Sequence, residues 1–325
     1  VLKTRAYFVL RIFHTGTDRT VHKSVGLSEL STLDRDSIIW IDLHYPSPEE
    51  IETVESHFGI TFQNPQEAQE IESSSRYFEN EDTIHANSNF LVADGDGFKD
   101  VNVSMVLKGR LLVSYRNADI KTFAETVRKI KANSQLFEEG GQVMVTIYET
   151  RIDLDADQLE LVAKEINAIG KTVTLGTNAS EEVLLKITRL QESTILMRES
   201  IIDKQRAVSA LMRSYIFPKQ HQERLRVIIK DINSLLEHTA FSFERLEYLQ
   251  NTLLGLINIE QNKIIKIFTV VSVVFMPPTL IASIYGMNFQ SMPELGFSFG
   301  YPLAIVLMIL SSLGTLYVFK KRRWL

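Results

Sequence analysis

Five side chains at helical spacing, Phe268, Ser272, Met276, Thr279 and Ser283, fall on one face of an otherwise apolar segment. Its hydroxyls share a stripe among Val, Ile, Leu and Phe neighbours, and polar atoms in apolar surroundings need partners or water. Two arrangements fit. In one, several copies surround an axis and the face lines an aqueous path, with hydroxyl rings and apolar constrictions at Phe268 and Met276. In the other, the hydroxyls bond their own backbone carbonyls or pack between helices. Pro277 and Pro278 free backbone carbonyls, which bends the helix or orients oxygen toward a hydrated cation.

Beyond the stripe stand Tyr285-Gly286-Met287-Asn288-Phe289 and then Met292-Pro293-Glu294-Leu295. Gly286 permits an abrupt change of backbone direction, and the amide oxygen of Asn288 is a neutral, hard acceptor suited to the water shell of a small divalent ion. Magnesium gives up its water reluctantly, so a ring of carbonyl and amide oxygens recognises the hydrated ion without stripping it. Carboxylates in the path bind more tightly but hinder escape, and conduction needs both entry and exit. Glu294 in the following loop concentrates cations by long-range attraction.

Other chemistries find no support. Asp94, Asp96 and Asp100 around Gly95 and Gly97 fail as a calcium loop, because Phe98 stands where an oxygen is needed and the glycine and final Glu are misplaced. There is no phosphate-binding glycine loop with its Lys and no HExxH arrangement, and the seven histidines are scattered. Zero cysteines exclude disulfides, thiolate nucleophiles and Cys-based metal centres. Paired acids such as Glu49 and Glu50, or Glu181 and Glu182, suit helix first turns rather than acid/base work. No convergent catalytic set emerges, which argues against an enzyme.

The elements that must position the stripe are two uncharged 19-residue apolar runs, Ile267 to Tyr285 and Tyr301 to Phe319. At 1.5 Å per residue each reaches ~29 Å, close to the ~30 Å hydrocarbon core of a bilayer. Lys263 and Lys266 precede the first run, Lys320 to Arg323 follow the second, and the connection 286 to 300 carries only Glu294, so both ends are expected in the cytoplasm. The apolar run Ala6 to Leu10 is too short for a signal peptide. Of 35 basic and 40 acidic residues, six and one lie in 263–325, leaving the remainder at net −10 and this tail at net +5. An acidic majority argues against a nucleic-acid binder.

Upstream, Ala6 to Phe13 and Ser37 to Leu43 read as strands, and Ser47 caps a helix over Pro48 to Phe58 with Glu50 closing a capping box. Asn87 to Ala93 and Val101 to Leu107 are expected as strands around a polar turn Asp94 to Asp100, with a hairpin at Lys108-Gly109-Arg110 leading to Leu111 to Tyr115. Helices are expected over Lys121 to Ala132, Gln142 to Ile169, Ser180 to Ser214 and Gln222 to Tyr285, separated by Gly170, Gly176 and Pro218. The last, 64 residues and on the order of 95 Å, carries a packing stripe from Leu225 to Ile257 and is expected to pack on neighbours, copies of itself among them.

The YGMNF and MPEL segments between two terminal apolar runs resemble the CorA family of divalent-cation transport proteins, in its bacterial magnesium-transporting branch. The resemblance extends through Ile257 to Phe268 and the KKRRWL tail, and more loosely upstream, including Ser75-Arg76-Tyr77-Phe78-Glu79. It implies a funnel-shaped homopentamer: a cytoplasmic α/β/α domain over 1–220, a stalk helix over 221–266, a pore-lining span over 267–285, an outer loop over 286–300, an outer-ring span over 301–319 and a basic tail over 320–325. On this resemblance Gly286, Met287 and Asn288 carry the selectivity signature, and an Asn288 ring contacts hydrated magnesium. Thr279 and Ser283 supply the next polar surfaces and Met276 an apolar restriction. Phe268 replaces a commoner leucine near the inner mouth, and Asn262 lies close to the cytoplasmic side. Asn251 stands where some relatives carry a pore-facing acid, so an inner cation ring there is expected to be weaker or absent.

The resemblance further implies uptake across a bacterial inner membrane, with magnesium as substrate and as a regulatory ligand bridging acidic groups between subunits, at sensor residues that cannot be aligned. Loss of the bridging ions permits asymmetric, wider states. Cobalt and nickel are possible further substrates, and transport is driven by concentration and membrane potential. A zinc transporter of the same architecture is the alternative reading, and a membrane-anchored scaffold a more distant one.

Overall fold

The computed structural model describes residues 9–63, 76–95, 97–174, 181–288, 290 and 292–322. It divides into two units, the first ending at Gln250 and the second beginning at Asn251. Ser75, Asp96, Gly176, Phe289 and the end of the basic tail, named above, lie outside the described residues.

The first unit is built on a seven-stranded sheet: β1 (Val9–Thr15), β2 (Val21–Val25), β3 (Ile38–His44), β4 (Tyr77–Glu79), β5 (Thr83–Asp94), β6 (Gly97–Lys108) and β7 (Leu111–Arg116). Its order is β2-β1-β3-β7-β6-β5-β4, with β3 and β7 parallel and every other pair antiparallel. The polar turn expected over Asp94 to Asp100 is much shorter, because β5 and β6 stay in register until Asp94 faces Gly97. Asp100 accordingly pairs with Leu91 inside a strand instead of lying in a loop. The next hairpin turns at Gly109, whose φ of 56° is left-handed and costs glycine little.

Helices cover both faces. The short α1 (Leu27–Leu30) and α2 (Pro48–Phe58) close one of them over Leu10, Ile12, Ile41, Leu43 and Val113. Helix α2 begins as its sequence prescribes: the Glu50 amide donates to Ser47 Oγ at 3.2 Å and the Ser47 amide to Glu50 Oε2 at 2.7 Å. On the other face lie α3 (Lys121–Ala132), α4 (Gly140–Thr174) and α5 (Glu181–Arg213). Gly170 does not end α4; the helix passes through it, with the Leu249 side chain 3.7 Å from where a Cβ would stand.

Buried ionic groups lie between these helices and the sheet. Asp42 accepts from Arg116 Nη2 at 2.9 Å, while Trp40 Nε1 donates to Ser114 Oγ at 2.9 Å and Arg116 lies 4.4 Å over the Phe123 ring. Between α4, α5 and β5, Asp155 pairs with Arg151 and with Lys204 at 3.3 Å, Lys204 also donates to the Ser200 carbonyl at 2.9 Å, and Arg151 to that of Leu91 at 2.9 Å. Burial lowers the pKa of Lys204, opposed by the attraction of Asp155. Asp203 accepts from the Asn89 amide at 2.8 Å and faces Arg76 at 3.2 Å. Helix α6 (Gln222–Tyr285) starts in this unit after Pro218 and continues into the second.

The second unit comprises the end of α6, a connection with one 3-10 turn over Pro293–Gly296, and α7 (Gly300–Lys321). Along the apolar stretches of both helices almost no side chain is fully buried within the chain. That is the pattern of segments whose surroundings are lipid or further subunits rather than their own core.

Candidate ion-conduction face

Six side chains of α6, Ser272, Phe275, Met276, Thr279, Leu280 and Ser283, line a shallow groove of about 430 Å³. Four of them belong to the stripe legible in the sequence. Phe275 and Leu280, which flank it, were not legible because an apolar residue beside an apolar face carries no contrasting signal. Phe268 stands about one turn before Ser272 on the same helix, 69% exposed, and Asn262 further back still, also exposed; neither joins the groove. Met276 is 66% exposed and projects among the hydroxyls.

One hydroxyl of the row takes the backbone-bonded arrangement that the spacing allowed. Thr279 Oγ1 donates to the Phe275 carbonyl at 2.7 Å, closing on its own helix. Thr279 still lines the groove, whose wall contains no charged side chain. Such a surface offers oxygen to the water around a cation without the strong hold of a carboxylate.

The opposite side of α6 is different. Val270, Val274, Pro277, Pro278, Ile281 and Tyr285 are half-buried, at spacings of three and four. On α7 the matching row is Ala304, Met308, Ser311, Ser312, Thr315 and Phe319. Ser312 Oγ donates across to the Val274 carbonyl at 3.3 Å. At about 100° per residue the α7-facing row of α6 lies about 180° from the hydroxyl row. One carbonyl freed by the proline pair, that of Val274, is therefore met by α7 on the side away from the groove.

At the end of α6 the Gly286 amide donates to the Ala282 carbonyl at 2.9 Å and the Met287 amide to that of Ile284 at 3.2 Å. Gly286 does not take a left-handed φ. What it supplies is space, since a Cβ there would stand 3.1 Å from the Ala282 carbonyl oxygen. Met287 and Asn288 follow in irregular, exposed backbone. Glu294 lies exposed in the first turn of the 3-10 segment. Among the described residues no group of three or more His, Asp or Glu side chains is placed to hold a metal ion.

Three comparisons bear on this arrangement. Residues 35–321 match the family model described as CorA-like Mg2+ transporter protein. A protein of Wolinella succinogenes named magnesium transport protein CorA is 39% identical over 294 residues, 89% of this chain and 92% of the relative. A Campylobacter jejuni protein of the same name is 38% identical over 300 residues, again 89% and 92%. Among solved structures, the complete CorA magnesium transporter of Methanocaldococcus jannaschii superposes with a TM-score of 0.79 over 98% of this chain and 99% of that one. At 22% identity that likeness speaks for the fold alone.

Proposed function

Because this chain belongs to the CorA family of Mg2+ transporter proteins, we propose that it carries magnesium across a membrane along the hydroxyl face of α6. The observation that carries this reading is the uncharged groove of Ser272, Met276, Thr279 and Ser283 leading toward Gly286, Met287 and Asn288 on the side of α6 opposite α7. A groove open along one side conducts nothing alone. Copies of the chain arranged around an axis close it, with α6 innermost and α7 toward lipid, and the homopentamer of the resemblance is the assembly we assign.

In that assembly Asn288 side chains form an oxygen ring for hydrated magnesium, and Glu294 raises the cation concentration nearby. Thr279, Ser283 and Ser272 hand the hydrated ion along. Met276 and Phe268, both large and exposed in the single chain, are the narrow apolar levels, with Asn262 beyond them on the cytoplasmic side. The lysines at 263 and 266 and the basic run at 320–323 support a reading in which both helix ends lie at the cytoplasmic leaflet of a bacterial inner membrane. Regulation by cytoplasmic magnesium, and passage of cobalt and nickel, belong to the same reading. That regulatory ion is taken to bridge acidic groups of neighbouring copies, since no group of three such side chains stands together among the described residues of one chain.

The test is magnesium uptake into liposomes containing the purified protein, with Asn288→Ala as control, zinc as competitor and internal magnesium varied. Uptake that is lost in Asn288→Ala and falls as internal magnesium rises supports the proposal. Zinc flux in its place moves the assignment to a zinc transporter, and no flux from folded oligomers leaves a scaffold.

A further inference from the structure

The proline pair creates a local deficit that identifies an unassigned positioning residue. In a helix the carbonyl of residue i accepts from the amide of i+4, or from that of i+3 where the turn tightens. For Val274 those two donors belong to Pro278 and Pro277, and neither has an N–H. Val273 loses only its i+4 donor and keeps the Met276 amide at i+3. Phe275 keeps the Thr279 amide and also accepts from Thr279 Oγ1 at 2.7 Å. Val274 is thus denied both, at the middle of a span where water is absent.

The missing donor comes from the other helix, as Ser312 Oγ reaches the Val274 carbonyl at 3.3 Å. Its neighbours do not cross over: Ser311 Oγ donates to the Met308 carbonyl at 2.8 Å, and Thr315 Oγ1 to those of Ser311 and Ser312 at 3.0 and 2.8 Å. We infer that Ser312 is a positioning residue for conduction. Its hydroxyl replaces the amide absent at Pro278 and fixes how α6 is turned about its own axis at the level of Met276 and Thr279. It touches no ion. It holds the back of the helix, and so decides which side chains the front presents.

The test is a double-mutant cycle. In Pro278→Ala the Val274 carbonyl regains its i+4 donor, so Ser312 is no longer needed. Ser312→Ala alone is expected to change magnesium uptake by about threefold, the scale of one interhelical hydrogen bond. The same change in the Pro278→Ala background is expected to have no effect, and Ser312→Thr, which keeps the hydroxyl, to match the parent. The uptake arm rests on the transport reading; a second arm does not.

The chain has no cysteine, so single Phe275→Cys and Leu280→Cys substitutions report the two flanks of the groove through their labelling rates with a water-soluble thiol reagent. Ser312→Ala is expected to shift the ratio of those rates, and the shift to vanish with Pro278→Ala. A parent that moves no magnesium sinks the transport reading while the labelling cycle still decides the role of Ser312. Effects that add rather than cancel, or an unchanged labelling ratio, overturn that role. If Ser312→Ala fails to assemble, recovery of assembly by Pro278→Ala supports it and equal failure of the double variant overturns it.

Discussion

In the first unit a fully buried lysine, Lys204, lies 3.3 Å from Asp155 beneath two helices, whereas in the second the 53 residues from Ile267 to Phe319 carry one charged side chain, Glu294. Both regions contain polar atoms away from bulk water, but they satisfy them differently. The first draws donors and acceptors from segments far apart in sequence, as when Arg116 meets Asp42 and Asp203 meets the Asn89 amide. The second closes most of its described polar contacts within a helical turn, Thr279 to Phe275 and Ser311 to Met308 among them. A region of the first kind seals itself. One of the second kind leaves its apolar faces outward, to be covered by lipid and by other copies.

The sharpest way to break this contrast is to strip an acid from the sealed region. Asp155→Asn leaves Arg151 and Lys204 buried without their shared carboxylate, a change that costs about 3–5 kcal/mol. Urea unfolding of the full chain, followed through the fluorescence of the fully buried Trp40, is expected to move to much lower denaturant. Phe268→Ala in the second unit, 69% exposed, is the control and should leave that transition in place. Equal shifts from both would erase the distinction.

Ser47→Ala tests a smaller element of the same unit. It removes the Oγ that accepts from the Glu50 amide, one half of the capping box on α2, at a cost of about 1 kcal/mol, and leaves the backbone N–H of residue 47 still donating to Glu50. Ser47→Asp, which keeps an acceptor, should recover most of the loss in the same assay.

Acid is the mildest perturbation, since it changes no residue. Burial holds the pKa values of His85 and His44 below the ordinary 6.5. Their unfolded forms therefore bind protons first, and stability falls as pH drops below 6.5 through the folded-state values. The Trp40-monitored transition should weaken between pH 7 and pH 5, and His85→Phe, in a site already stacked on Phe78 at 4.1 Å, should flatten part of that slope. A slope unchanged by the substitution would remove His85 from the account.

Much of this organisation is legible before any fold is known, and the reasons are local. Ser47 and Glu50 mark the start of α2, and Pro218 with Tyr285-Gly286 brackets α6 at the residues the structure gives. The hydroxyl row is legible because it contrasts with its neighbours. Strand β2, Val-His-Lys-Ser-Val, is not, since its extended form follows from pairing with β1 along the edge of the sheet rather than from its own pattern. Gly170 misleads because helical packing near Leu249 outweighs its low propensity. The bond from Ser312 to Val274 spans 38 residues, and only the meeting of two helices reveals it.

The hydroxyl row and the α7-facing row of α6 have no side chain in common. Changing the groove side of such a helix is therefore like changing the face of a tile without disturbing its mortar. An engineer can exchange Ser272, Thr279 or Ser283 for other polar groups, and the seat that receives Ala304, Met308 and Ser312 keeps its shape.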